Sequence, residues 1–239
     1  MHVFGLLTAL RAFARKNHPA AWSSGDVLRP LCISKYYGVH LGRSAAPAVE
    51  TEPRHLGPNF YYAQEDYLRS RRDAAWRWTN LVPTHLTGFA TSNPMNLALS
   101  IAVYASLVRA VGLRLDFPGS AAAFGAMTQF VDAEQLAEAA AWRAVTPKAA
   151  GEVFNFANGD PTRWSQLWPA IADYFGVPAG GPRPIPLSSF MPELAPLWKE
   201  MAPNYGLAQP ELGSLVNWGF LYSSRRASIG SIKAARRAG

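Results

Sequence analysis

A tyrosine has an ordinary pKa near ~10, and an ammonium beside it stabilises the phenolate and makes the hydroxyl a better proton donor. The sequence offers candidates for such a pair in Tyr61 and Lys35. Tyr61 lies near the start of NFYYAQEDYLRSRR (59–72), with Tyr62 after it, two acids following and a basic cluster at Arg69, Arg71 and Arg72. Lys35 lies in CISKYYG (32–38). A tyrosine assisted in this way gives a proton to an alkoxide, or holds an oxygen that gains negative charge as hydride reaches carbon. Separation along the chain does not itself bring the two together. The same residues also fit a packed aromatic and a surface lysine.

The elements that must position them alternate. The spacing predicts a helix over 3–15, a buried strand over Leu28–Ile33 and an irregular loop over 38–58. A helix then starts at Asn59, a good N-cap, with Phe60, Ala63, Tyr67 and Leu68 as its apolar face. Trp76–Val82 reads as an alternating strand ended by Pro83, and THLTGFATSNP (84–94) as loop. A helix over 95–111, a strand over Leu113–Phe117, a helix over Asp132–Val145 with Leu136, Ala139, Ala140 and Trp142 apolar, and a strand over Val153–Ala157 follow. Pro161–Phe175 reads as a helix with proline in its first turn, Gly180–Pro192 as a proline-rich surface loop, and the remainder as helical. Strands alternating with helices imply a parallel sheet, which binds ligands just past the carboxyl ends of its strands. Two segments qualify, the one after Ile33 with Lys35 and the one after Val82 with Pro83, Thr84, His85 and Leu86.

Composition narrows the function classes. The 239 residues suffice for one large or two small domains, and 49% hydrophobic with 12% aromatic content is globular rather than disordered. A net charge of +7 favours an anionic partner such as a phosphate-bearing cofactor. The Lys and Arg residues are scattered, with no continuous basic stripe and aromatic platforms, so nucleic acid is not an expected partner. One cysteine, Cys32, excludes an internal disulfide framework and fits a reducing, cytoplasmic setting. Five dispersed histidines and no HExxH or CxxC give no support for a metal. The amphipathic, acid-free residues 1–16 have transit-peptide chemistry but read as a helix of the fold, and Met95–Val108 is too short for a membrane span. No GxGxxG, GxxGxxG, GxxxxGK or GxSxG occurs.

CISKYYG (32–38), PNFYYAQEDYL (58–68), WTNLVPTHLTGF (78–89), NPMNLALSIAVYA (93–105), LDFPGSAAAF (115–124), FNFANGD (154–160), RWSQLWPAIADYFGV (163–177) and SIKAARRAG (231–239) together resemble the progesterone 5β-reductase/iridoid synthase-like (PRISE) family. That family is an atypical branch of the short-chain dehydrogenases/reductases, related to the NAD-dependent epimerase/dehydratase-like enzymes. The resemblance implies an α/β fold, an incomplete Rossmann-like parallel sheet with a helical, substrate-side C-terminal portion mainly over 161–239, in a single domain spanning 1–239. It implies an oxidoreductase, an ene-reductase or carbonyl reductase, that moves hydride from NADPH to the β-carbon of an enone or a related activated double bond. By resemblance Tyr61 is the catalytic tyrosine that hydrogen-bonds the substrate oxygen, Tyr62 its packed neighbour, and Lys35 the lysine that keeps the phenol acidic and touches the nicotinamide ribose. Pro83, Thr84, His85 and Leu86 match the loop against the nicotinamide. Asn93, Met95, Asn96 and Phe124 match the substrate pocket.

The chain departs from the family where Cys32–Ile33 replaces a Thr-Gly and where Val82 replaces an arginine. Roughly the first third of the family fold, with its glycine fingerprint, has no counterpart, so the chain reads as N-terminally truncated. Two functions therefore follow. One is an NADPH-dependent reductase acting on a small molecule. The other is an inactive remnant serving as a binding or interaction module, which with its sheet edges uncovered is expected to self-associate, form a homodimer or recruit a partner.

Overall fold

The computed structural model describes residues 26–30, 36–38, 48–70, 77–88, 93–144, 146–207, 209 and 211–219. In chain order the elements are β1 (Asp26–Pro30), α1 (Phe60–Ser70), β2 (Arg77–Pro83), β3 (His85–Thr87), α2 (Leu97–Ala110), β4 (Leu115–Phe117), α3 (Ala121–Gly125), β5 (Met127–Thr128), β6 (Phe130–Asp132), α4 (Ala133–Ala144), β7 (Val153–Phe156), β8 (Thr162–Arg163), α5 (Trp164–Tyr174), β9 (Ala179–Pro182), α6 (Leu187–Glu193), α7 (Ala195–Asn204) and α8 (Leu212–Leu215). They fall into two compact units, Met1–Leu86 with Gln129–Asp160, and Thr87–Thr128 with Pro161–Gly239.

The first unit is built on a parallel sheet of order β1-β2-β7. β1 pairs with β2 from Asp26↔Arg77 to Pro30↔Leu81, and β2 with β7 from Asn80↔Val153 to Pro83↔Phe156. After Arg77 every residue of β2 is buried, so this strand is covered on both faces and does not alternate as its sequence pattern suggests. A parallel strand between two neighbours carries helices above and below, and exposure no longer follows the pleat. The pleat still sorts the contacts. Leu81 packs with Val131, Leu136, Ala137 and Ala140, joined by Leu86, Phe154 and Phe156. Val82 points into a second cluster with Tyr36, Tyr37, Tyr61 and Tyr62, joined by Ala48 and Val153.

α1 buries Tyr61, Tyr62, Glu65 and Leu68, while Phe60 and Tyr67 are 52% and 58% exposed. Its inner face is therefore not the one expected from its apolar residues, because that face includes a carboxylate. The segment 84–94, expected as loop, contains β3, which pairs with β6. Trp142, expected on the buried side of α4, is 56% exposed, whereas Leu136 and Ala140 are buried as expected.

The second unit holds α2, whose Val103, Tyr104, Ala105, Leu107 and Val108 are buried. Its core is aromatic. Phe117 meets Phe124, Trp164 and Trp168 with ring centroids 5.1, 5.8 and 5.2 Å away. Trp168 Nε1 donates to the Leu115 carbonyl at 2.8 Å, and Tyr104 Oη to that of Asp116 at 3.0 Å. The proline-rich stretch is structured rather than a loop: β9 runs parallel to β4, and Leu187–Glu193 is helical. Pro161 lies outside α5, which starts at Trp164. Gly180 permits the close approach of β9, since a Cβ there would lie 2.8 Å from the Asp116 Cα. No helix among the described residues is long and apolar enough to cross a membrane.

Candidate active site

The site grows from the start of α1. Asn59 caps the helix, its Oδ1 accepting from the Tyr61 N–H at 3.0 Å and its carbonyl from the Tyr62 N–H at 3.0 Å. The two tyrosines leave the first turn together and both go inward, at 7% and 9% exposure. Tyr61 stacks tilted on Phe60 with centroids 4.1 Å apart. It shares its buried cluster with Val82, the residue before the Pro83–Leu86 segment at the carboxyl end of β2. The structure thus brings Tyr61 beside the carboxyl end of the central strand of a parallel sheet, the end at which such sheets generally bind ligands. The family arginine position, Val82, has no exposed surface and sits among four tyrosine rings, an environment that suits valine and would strand a guanidinium.

Within Pro83–Leu86 the residues have different roles. Pro83 is buried and ends β2 opposite Phe156. The Thr84 N–H donates to the Phe156 carbonyl at 3.1 Å, while its buried Oγ1 has no hydrogen-bond partner among the described residues. Unpaired buried hydroxyls are uncommon and call for an explanation. His85 lies 5.8 Å from the Phe130 ring, and burial holds its imidazole below the ordinary pKa, so it is neutral at physiological pH. The Leu86 side chain packs into the core under β2. Of the expected cofactor contacts in this segment, the Thr84 hydroxyl is the buried side-chain oxygen without a hydrogen-bond partner among the described residues. It fits a nicotinamide cofactor at this strand end.

A polar network not expected from the sequence involves Tyr62 and Glu65, the residues one and four places after Tyr61 on α1. Glu65, 3% exposed, accepts from Tyr36 Oη through Oε2 at 2.7 Å. Its Oε1 takes Arg69 Nε at 2.8 Å and lies 3.4 Å from an Arg54 nitrogen. Arg54 also bonds Asp66 at 2.6 Å. A buried carboxylate is tolerable only when so paired. Tyr62 Oη donates to the Tyr36 carbonyl and accepts from the His55 N–H at 3.3 Å. Tyr37 Oη donates to Asn155 Oδ1 at 2.8 Å, and the Asn155 amide donates to the Ala48 carbonyl at 3.0 Å. Burial, followed by the hydrogen bond to Glu65 and that carboxylate's charge, pushes the Tyr36 phenol well above its ordinary value. Burial pushes Tyr37 up to about 12, the bond to Asn155 opposing and the charges of Glu50 and Glu52 adding. Gly38 follows at φ +71°, and a Cβ there would meet the His55 ring at 2.8 Å. The available signals were the tyrosines directly after Lys35 and an arginine four residues after Glu65, both visible in the sequence.

The remaining expected residues lie in the second unit. Asn96 caps α2, its Oδ1 accepting from the Leu99 N–H at 3.0 Å, and its amide donates to the Gly88 carbonyl at 2.9 Å. Asn93 Oδ1 accepts from the Met95 N–H at 3.1 Å. Both asparagines thus shape the turn into α2, and Met95 is half-buried between them. Phe124 packs on Phe117. Lys35 lies outside the described residues.

Comparison with known proteins gives the family. Residues 27–223 match the PRISE-like Rossmann-fold domain family. The chain is 34% identical over 180 residues to an (S)-8-oxocitronellyl enol synthase of Camptotheca acuminata, covering 73% of this chain and 46% of that protein. It is 31% identical over 206 residues to the 3-oxo-Delta(4,5)-steroid 5-beta-reductase of Arabidopsis thaliana, covering 81% and 53%. It therefore spans about half the length of these curated relatives. Among solved structures it superposes on RMD from Pseudomonas aeruginosa complexed with NADPH, with a TM-score of 0.50, 22% identity and coverage of 75% of this chain and 58% of that one. An epimerase from Methanothermobacter thermautotrophicus gives 0.51, 16% identity, and coverage of 75% and 52%. At these identities the structures speak for the fold alone, a Rossmann-like α/β arrangement. The chain belongs to the PRISE-like Rossmann-fold domain family, within the atypical short-chain dehydrogenases/reductases.

Proposed function

We propose that this chain is an NADPH-dependent reductase that delivers hydride to the β-carbon of an α,β-unsaturated carbonyl, or to a carbonyl carbon, of a small-molecule substrate. The relatives' names support the class, one being a reductase of 3-oxo-Delta(4,5)-steroids, which contain an enone. The observation that carries the reading is the placement of Tyr61. It is buried at the first turn of α1, in one cluster with the carboxyl end of β2, and the Thr84 hydroxyl, without a partner among the described residues, lies two residues past Val82.

NADPH, when bound, supplies the hydride. Thr84 would contact the nicotinamide end through its hydroxyl, with Pro83, His85 and Leu86 forming the rest of that wall. The glycine fingerprint that seats a pyrophosphate is not among the 239 residues, so what these residues fit is the nicotinamide end. When hydride adds to the β-carbon, the C=C electrons move toward the carbonyl, and negative charge grows on its oxygen. Tyr61 Oη donates its hydrogen bond there, which stabilises the enolate-like state more than the ground state. For a carbonyl substrate the same hydroxyl gives its proton to the alkoxide. Lys35, by family resemblance, keeps the phenol acidic. Burial of Tyr61 and Val82 keeps water from the developing charge. In the second unit the reading assigns Asn93, Met95, Asn96 and Phe124 to substrate contact, on resemblance alone.

Thermal unfolding with and without cofactor tests the proposal. A ligand at about 100 times its Kd stabilises by roughly 2.7 kcal/mol, so NADPH is expected to raise Tm by several degrees. No change with millimolar NADPH or NADH would sink the reductase reading and favour a binding module.

A further inference from the structure

We infer that Tyr36, Tyr62 and Glu65 form a two-point clamp that holds the segment immediately after Lys35 against the helix bearing Tyr61, and that they act as positioning residues for that tyrosine–lysine pair. The inference rests on the reductase reading of Tyr61.

The clamp grips one residue at both ends. The backbone carbonyl of Tyr36 is held by Tyr62 Oη, and its hydroxyl by Glu65 Oε2 at 2.7 Å. Tyr62 and Glu65 are three residues apart on α1, on the same face, so the grips are one helical turn apart. A single hydrogen bond fixes a distance, whereas two at opposite ends of one residue, its carbonyl and its hydroxyl, also fix the rotation of the segment about it. The rings add an edge contact, Tyr36 to Tyr62 at 5.4 Å between centroids. The distal grip is locked in turn, because Glu65 Oε1 is held by Arg69 at 2.8 Å and approached by Arg54 at 3.4 Å. Tyr61 is the residue before one grip and four before the other, one turn back on the same face. Lys35 is the residue directly before the gripped one in the sequence. Simple core packing would place phenylalanine at 36 and 62 and an apolar residue at 65. Burying two hydroxyls and a carboxylate demands that each be paired, and here the bonds Tyr36 Oη to Glu65 and Tyr62 Oη to the Tyr36 carbonyl join the same two segments.

Tyr37 supplies an internal control. It belongs to the same cluster and makes a hydrogen bond of similar length, but to Asn155 on β7 rather than to α1. Removing its hydroxyl loosens the cluster without releasing the clamp.

The test is a double-mutant cycle on the full chain that needs neither cofactor nor turnover. The alkaline titration of the Tyr61 ring is followed by NMR of 13Cζ-labelled tyrosine, with Tyr61→Phe to assign the signal. The midpoint shift caused by Lys35→Met is measured in the parent, in Tyr37→Phe, and in Tyr62→Phe and Glu65→Gln separately and combined. The expected shift is roughly one pH unit in the parent and in Tyr37→Phe, falling to a few tenths in the combined clamp variant. Each single clamp variant should lie between, so either suffices if the combined one does not fold. A full shift in every background overturns the clamp while leaving the Tyr61–Lys35 pairing intact. An equal loss in Tyr37→Phe overturns it too, since cluster integrity alone would then be responsible. No shift in the parent removes the pairing itself, and with it both the clamp and the catalytic role given to Lys35.

Discussion

The seal on the tyrosine cluster can be measured through Tyr37. Its ring is 6% exposed, its hydroxyl donates to Asn155 Oδ1 at 2.8 Å, and its phenol is pushed up to about 12. An unfolded tyrosine ionises near ~10. Because the folded pKa is the higher, the stability linked to this group is fully present below pH ~10 and is lost as pH rises toward the folded value. The loss from this one residue is about 1.4 kcal/mol by pH 11 and about 2.3 kcal/mol by pH 12. Tyr37→Phe removes a hydrogen bond and leaves Asn155 Oδ1 short of a donor, a cost of about 1–2 kcal/mol at neutral pH. The variant escapes the alkaline loss. It should therefore start less stable than the parent, and the two curves should meet near pH 11 to 12. Urea unfolding followed by circular dichroism at pH 7, 10, 11 and 12 measures both, and groups common to the two chains cancel in the difference. A parent–variant gap that stays constant across this range would show that Tyr37 ionises as freely folded as unfolded. The buried cluster behind Tyr61 would then be open to water.

Three further outcomes follow from local geometry. Gly38→Ala puts a side chain at φ +71° and within 2.8 Å of the His55 ring, and should cost about 1–3 kcal/mol in denaturant unfolding; a neutral effect would refute this conformation of the turn after Tyr37. Gly180→Ala places a Cβ 1.9 Å from Asp116 Oδ1 and 2.8 Å from its Cα, so the β4–β9 pair must separate, and Tm should fall by several degrees; an unchanged Tm would refute that pairing. Arg143 is 5% exposed, its guanidinium has no acceptor among the described residues and lies 4.9 Å from the Phe154 ring centroid, and burial lowers its pKa to about 10. Arg143→Met should therefore leave stability unchanged or raise it by up to about 2 kcal/mol, and a loss above ~1 kcal/mol by urea unfolding would mean that the charge is paired.

The sequence made the layout of the first unit legible where periodicity and burial agree. β2, β7 and α4 lie within a few residues of expectation, and Asn59 caps α1 as its type suggests. It misled where a polar residue is buried for a tertiary reason. Glu65 lies outside the apolar face expected for α1, yet Tyr36, Arg54 and Arg69 converge on it from outside the helix and from its next turn. Strands of two or three residues, β3, β5, β6 and β8, carry no usable period, and their pairing is set by partners distant in the chain. Proline suggested a loop over 180–192, yet β9 is an edge strand of a two-stranded pair, a position that tolerates it. At the site, the type of Tyr61 was readable and its surroundings were not. The links among Tyr36, Tyr62 and Glu65 connect residues 26 and 29 apart, and no local pattern encodes them.

The central claim is that the Tyr61 hydroxyl stabilises negative charge on the substrate oxygen. Its most direct test is the single-turnover rate of NADPH oxidation with an enone or carbonyl substrate, compared between the parent and Tyr61→Phe. The substitution keeps the ring and removes only the hydroxyl. The account predicts a rate lower by about 10²–10⁴-fold, with the Kd for NADPH unchanged within about twofold. Equal rates in the two proteins would contradict it.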